Sequence, residues 1–230
     1  MKEFVEFTDL GLRDYKQTWD LQQQVLEKLV RAKTGSPDPD TLPCLFFVEH
    51  PHVYTLGKSG HENNLLIQPP FLESIGATYY RIDRGGDITY HGPGQIVGYP
   101  IFDLDRLGIG VKKYIDKLEE AIILTLGEFS IRASRMDQAT GVWLDTEGNN
   151  TRKICAIGVR VSRSVTMHGF AFNVNTDLTY FNHINPCGFT DKGVTSMQKE
   201  LGAKQDMNEV KQRLLKNLLS QFGLKIKERN

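Results

Sequence analysis

Cys187 stands in Asn185-Pro-Cys-Gly188, a cysteine among turn-forming residues with no burial pattern on either side. A thiol held on a loop can react where a core thiol cannot, which makes Cys187 a candidate nucleophile. An unperturbed thiol, with a pKa of about 8.5, is only slightly ionised at neutral pH, so it needs a histidine or lysine to generate or stabilise its thiolate. Inert packing is the alternative role of a lone cysteine, and it suits Cys44 and Cys155, each among apolar neighbours on a strand candidate. His183, shortly before Cys187, is either the base of a Cys-His pair or a polar loop residue. Lys153 opens the run Lys153-Ile-Cys-Ala-Ile-Gly-Val-Arg-Val-Ser162 after the polar turn Thr146–Arg152. Spacing alone leaves it a solvated strand end and does not bring it beside Cys187.

The densest signal is Arg84-Gly-Gly-Asp-Ile-Thr-Tyr-His-Gly-Pro-Gly-Gln95. Clustered glycine is costly to order, and it makes sense where a backbone turns sharply or approaches a ligand closely; a bulged hairpin is the other reading. No Lys-Ser or Lys-Thr follows the glycines and the Gly-x-Gly-x-x-Gly spacing is missing, so the segment gives no support to nucleotide binding. His50-Pro-His52 and the pair His183 and Cys187 do not reach the three or four ligands of a zinc site, and no metal is expected.

Three amphipathic helices are predicted to position these residues. The first runs from Asp14 to Lys33 with Tyr15, Trp19, Val25, Leu26, Leu29 and Val30 on its apolar side, the second from about Val111 to Phe129, the third from about Asn208 to Phe222. Strands are predicted at Phe4–Phe7, Leu45–Glu49, Val53–Leu56, Thr78–Ile82, Ile96–Phe102, Gly141–Leu144, Lys153–Val161, Thr166–Val174 and Leu224–Lys227. Helices set between runs of strands, without strict alternation, indicate an α+β fold with a mixed β-sheet packed with helices.

The chain of 230 residues reads as one domain, 1–230, large enough to bury a core without disulfides or metal. Its 28 Lys plus Arg balance 28 Asp plus Glu, which argues against non-specific nucleic-acid binding. No apolar run reaches the length of a membrane span and the charged start does not resemble a signal peptide, so a soluble, cytoplasmic protein is expected.

Taken in order, the Arg84–Gln95 segment, Lys153-Ile-Cys-Ala-Ile-Gly158, His168-Gly-Phe-Ala-Phe-Asn173 and Asn185-Pro-Cys-Gly188 resemble the lipoyl(octanoyl) transferase family, over most of the chain from Glu49-His-Pro-His-Val-Tyr-Thr-Leu-Gly57 to Val194-Thr-Ser196. The resemblance implies the fold of biotin and lipoate protein ligase catalytic domains. It implies transfer of an octanoyl group from octanoyl-acyl carrier protein to a lysine of lipoyl domains, those of 2-oxoacid dehydrogenase complexes and of the glycine cleavage H protein, with no cofactor. By the same resemblance Cys187 is the nucleophile and Lys153 its activating partner. Arg84, Gly85, Gly86, Asp87, Ile88, Thr89, Tyr90 and His91, with Ala156, Ile157, Gly158, Gly169, Phe170 and Ala171, would line the acyl site. Asp87 where Gln is common, Met197 where Leu is common and a lengthened turn before Lys153 depart from the family pattern. An ATP-dependent lipoate ligase and a catalytically silent acyl-binding module are the competing readings.

Overall fold

The computed structural model describes residues 3–35, 41–185 and 192–227. In chain order it forms β1 (Glu3–Leu12), α1 (Tyr15–Thr34), β2 (Cys44–Glu49), β3 (Val53–Leu56), α2 (Pro69–Ser74), β4 (Thr78–Arg81), β5 (Ile88–His91), β6 (Gln95–Ile101), α3 (Val111–Gly127), β7 (Ser134–Met136), β8 (Ala139–Leu144), β9 (Arg152–Ser162), β10 (Val165–Asn173), β11 (Gly193–Val194), α4 (Met197–Leu201), α5 (Met207–Phe222) and β12 (Leu224–Ile226). Short 3-10 turns occupy Glu62–Asn64 and Leu178–His183.

The large sheet runs β12-β1-β2-β6-β10-β9-β8-β7, with β11 added beside β9. Its β12-β1-β2 edge is parallel and the rest of that path antiparallel, the mixed sheet expected of this α+β chain. Alternation along its strands divides the apolar residues between two faces. Leu45, Phe47 and Ile96 pack with Leu118 and Ile122 of α3 and Leu214 and Leu218 of α5. Phe46, Val48 and Val97 pack with Leu26 and Leu29 of α1 on the other side. A second sheet, β4-β3-β5, is formed by the chain between β2 and β6.

Local chemistry sets the helix ends. The Asp14 carboxylate accepts from the Gln17 N–H before α1, Asp206 accepts from Asn208 and Glu209 before α5, and Gly223 closes α5 with φ of 67°. The face of α1 differs from the purely apolar stripe that the sequence suggests: Thr18 and Gln22 are fully buried beside Tyr15, Leu26 and Leu29, and Trp19 is only half-buried. The reason is the partner, since Gln22 Oε1 accepts from the His168 N–H at 3.0 Å. Among the described residues no helix is long and apolar enough to cross a membrane.

Candidate active site

A cavity of about 510 Å³ opens between the large sheet, the second sheet and the first turn of α1. On the large sheet its floor is paired small residues: Gly158 lies opposite Gly169 and Ala156 opposite Ala171 across β9 and β10. Side chains this small expose the strand to whatever fills the space. Gly158 also permits a close approach from above, because a Cβ there would lie 2.9 Å from Gly85 O and 3.2 Å from Arg84 Cδ. The Gly85 N–H uses that proximity to donate to Val159 O at 2.9 Å.

Arg84 is 8% exposed, and its guanidinium donates to Thr55 O at 2.8 Å, to Thr55 Oγ1 at 3.1 Å and to Gly85 O at 3.0 Å. The turn that follows is tied to the end of β3, where Lys58 N–H donates to Arg84 O and Ser59 N–H to Gly86 O. Gly86 has φ of 85°, a left-handed conformation that favours glycine. The Asp87 carboxylate accepts from Asn64 Nδ2 and the Ile88 N–H, both at 2.6 Å, so this departure from the family pattern is built into the turn.

A hydrogen-bonded chain links His91 to Lys153. His91 Nδ1 donates to Gln95 Oε1, Gln95 Nε2 to Asn173 Oδ1, Asn173 Nδ2 to Thr195 O, and the Thr195 N–H to Lys153 O, at 2.8, 2.9, 3.0 and 2.9 Å. Burial holds the His91 imidazole neutral by lowering its pKa to about 3.

Lys153 reaches the cavity through a bulge. Val142 of β8 pairs with Cys155, but the next residue, Trp143, pairs with Lys153, leaving Ile154 as an extra residue on β9. Ile154 and Cys155 are both buried in the α3–α5 core. The side-chain alternation is thereby reset, and Lys153 lines the cavity with its Nζ 4.5 Å from the centre of the Trp143 ring. Gly141, at φ of 126°, allows β8 to approach β9 closely beside this stem: a Cβ there would lie 2.6 Å from Cys155 O.

Of the residues expected at an acyl site, Arg84 to Thr89, His91, Ala156 to Gly158 and Gly169 to Ala171 line the cavity with Lys153. Tyr90 does not. Thr89 and His91 face the cavity while Tyr90 points into the core of the second sheet, with its hydroxyl 2.7 Å from His52 Nδ1 and its ring stacked on Tyr180 at 4.9 Å. Cys187 lies outside the described residues. Before it, the Asn185 N–H donates to Asn64 O and Ile184 bridges Leu65; after it, Gly193 and Val194 pair with Arg152 and Lys153. His183 packs its ring edge-on to Phe71 at 5.3 Å and does not line the cavity. Cys44 and Cys155 are buried packing residues, and burial pushes the Cys155 thiol well up.

Sequence reasoning missed Tyr15, Gln95, Val97, Tyr99, Asn173 and Phe181, all of which line the cavity, and His168. His168 heads the His168–Asn173 motif, the one signal that could have found it. It adopts φ of 60° inside β10, and its Nε2 donates to Asp83 Oδ1 at 2.8 Å. Burial lowers the His168 pKa, while that hydrogen bond, with Arg160 nearby, holds the Asp83 carboxyl below its usual range. Among the described residues no three His, Cys, Asp or Glu side chains converge as a metal site would require.

The lipoyl protein ligase A/B catalytic domain family matches residues 14–219. The octanoyltransferase of Bacteroides fragilis strain YCH46 is 54% identical over 213 residues, 93% of this chain and 96% of that relative. The octanoyltransferase of Christiangramia forsetii is 52% identical over 233 residues, 99% of each chain. Solved structures with the same fold include the bipartite lipoate protein ligase of Thermoplasma acidophilum, with a TM-score of 0.70 and 14% identity over 100% of this chain and 87% of that one. Lipoate-protein ligase A bound with ATP is a second, with a TM-score of 0.68 and 14% identity over 100% and 89%. By family match and by identity along nearly its whole length, the chain belongs to the octanoyltransferase family, acyltransferases built on the lipoyl protein ligase A/B catalytic domain.

Proposed function

We propose that the chain carries an octanoyl group from the thioester of acyl carrier protein to a lysine of a lipoyl domain, by way of a thioester on Cys187. The acceptors are the lipoyl domains of 2-oxoacid dehydrogenase complexes and the glycine cleavage H protein. The observation that carries this reading is the cavity itself: an apolar slot floored by Ala156, Gly158, Gly169 and Ala171, with an amine, Lys153, turned into it by a strand bulge.

The chemistry needs no activation step. The donor is already a thioester, so its exchange onto a thiol is nearly isoenergetic, and the final amide is downhill. Lys153 takes the proton of the Cys187 thiol; the thiolate sulfur attacks the octanoyl carbonyl carbon, and the pantetheine sulfur leaves with the proton that Lys153 returns. In the second half-reaction the acceptor amine attacks the same carbon, its proton passes to Lys153, and the Cys187–carbonyl bond breaks to restore the thiol. A ligase would instead activate free octanoate with ATP.

Intact-mass analysis after mixing with octanoyl carrier protein tests this. An octanoyl adduct is expected on the wild type without nucleotide, absent from Cys187→Ala and retained by Cys44→Ala and Cys155→Ala. An adduct that survives in Cys187→Ala removes the assignment, and turnover of free octanoate only with ATP replaces the transferase with a ligase.

A further inference from the structure

The sheet that floors the cavity also works as a ruler. On β10, Asn173 pairs with Gln95 and Ala171 with Val97, while Phe170 pairs with Gly98, which brings Tyr99 level with Gly169. Asn173 marks the Lys153 end, through its bond to Thr195 O and the bond from the Thr195 N–H to Lys153 O. Four residue steps separate Asn173 from Gly169, about 13 Å at a rise of about 3.3 Å per residue. An extended octanoyl group spans about 9 Å from carbonyl to methyl carbon, given C–C bonds of about 1.5 Å at tetrahedral angles. The methyl surface adds about 2 Å. A chain whose carbonyl sits at the Lys153 end therefore finishes at the level of Tyr99.

What stands there is rigid. Tyr99 is 3% exposed, and its O–H donates to His50 Nε2 at 2.8 Å. The His50 Nδ1–H donates in turn to Arg13 O at 2.7 Å, which fixes both the tautomer and the ring. Tyr15 closes the same end, stacked on His91 at 5.8 Å and on Tyr80 at 5.6 Å. Val97 lies two residues nearer Lys153, level with the Ala171–Ala156 pair, and lines the middle of the cavity.

Resting on the reading that the acyl carbonyl is held at Lys153, we infer that Tyr99, braced by His50 and flanked by Tyr15, is the stop that limits the acyl group to about eight carbons, and that Val97 sets the width of the channel before it. The residues make opposite demands on substrate length. Removing the stop lengthens the accepted chain; a larger side chain at 97 shortens it.

The test offers carrier protein loaded with six-, eight-, ten- and twelve-carbon acyl groups in competition, and reads the acyl-lysine formed on a lipoyl domain by mass. Tyr99→Leu is expected to raise twelve-carbon over eight-carbon product about tenfold or more, the scale that methylene-sized differences produce in an apolar pocket. Val97→Phe, and more mildly Val97→Leu, shift product toward six carbons. A profile unchanged from wild type, or loss at every length in all three variants, overturns the inference. Because product is read on the acceptor, a shifted profile without any Cys187 adduct would leave the ruler standing and remove only the covalent intermediate.

Discussion

Lys153 is turned toward the cavity with its Nζ over the Trp143 ring, a contact that holds the side chain in place but does not say what the nitrogen does. Charge and proton transfer can be separated by substitution. Arginine keeps the positive charge and cannot give up its proton in a protein, whereas methionine keeps only the stem. If Lys153 moves protons, Lys153→Arg loses turnover by about 10²-fold or more, as other acid–base groups do, with the fold intact by circular dichroism. Near-normal turnover in Lys153→Arg alongside an inactive Lys153→Met would assign Lys153 to charge alone.

At the scale of elements, the segment leading to Cys187 is held by three stacked rings. Tyr180, in the Leu178–His183 turn, lies on His52 at 4.1 Å and on Tyr90 at 4.9 Å, and Tyr54 Oη donates to Tyr180 O. Each such pair is worth about 0.5–1.5 kcal/mol beyond its burial, so losing both should slow acyl-enzyme formation about tenfold. Tyr180→Ala is expected to lower that rate in single-turnover measurements and to lower the thermal midpoint by about 2–4 °C per kcal/mol lost, and Tyr180→Phe to restore both; equal rates in all three would make the stack irrelevant to Cys187. Tyr90 thus serves a neighbouring element, and its sequence position conceals this because the motif is contiguous while a strand sends alternate residues to opposite faces. The helices were legible from the spacing of their apolar residues, a signal carried within each segment, and Asp14, Asp206 and Gly223 cap them locally. β5 was not, because four strand residues lie among glycines and are ordered only by pairing with β3. The bulge at Ile154 was equally hidden, since it exists only in the register between β9 and β8. Gln22 escaped for the same reason: its burial answers to His168, far along the chain.

For the molecule as a whole, burying histidines beside the cavity ties stability to pH. Burial lowers His50 to about 4 and His91 to about 3, while the unfolded chain titrates near 6.5. Both are therefore neutral in the fold, and as pH falls below about 6.5 the unfolded state binds protons that the native state refuses. Stability should decline by about 1.4 kcal/mol per pH unit for each imidazole until the folded pKa is reached. Urea titrations from pH 7 to pH 4 measure this, and a flat profile would mean that these rings are protonated in the fold. The second sheet carries a different consequence. It is an excursion between β2 and β6, and those two strands are themselves paired, Val48 with Val97 and Cys44 with Ile101. The chain leaves the large sheet and returns to it at neighbouring points. Closure entropy grows only with the logarithm of an excursion's length, so this roof could be lengthened, shortened or exchanged at small cost to the sheet beneath. Two inheritances are in that sense separable: the floor, with Lys153, Val97 and Tyr99, belongs to one piece of architecture, and the roof over it to another, graftable one.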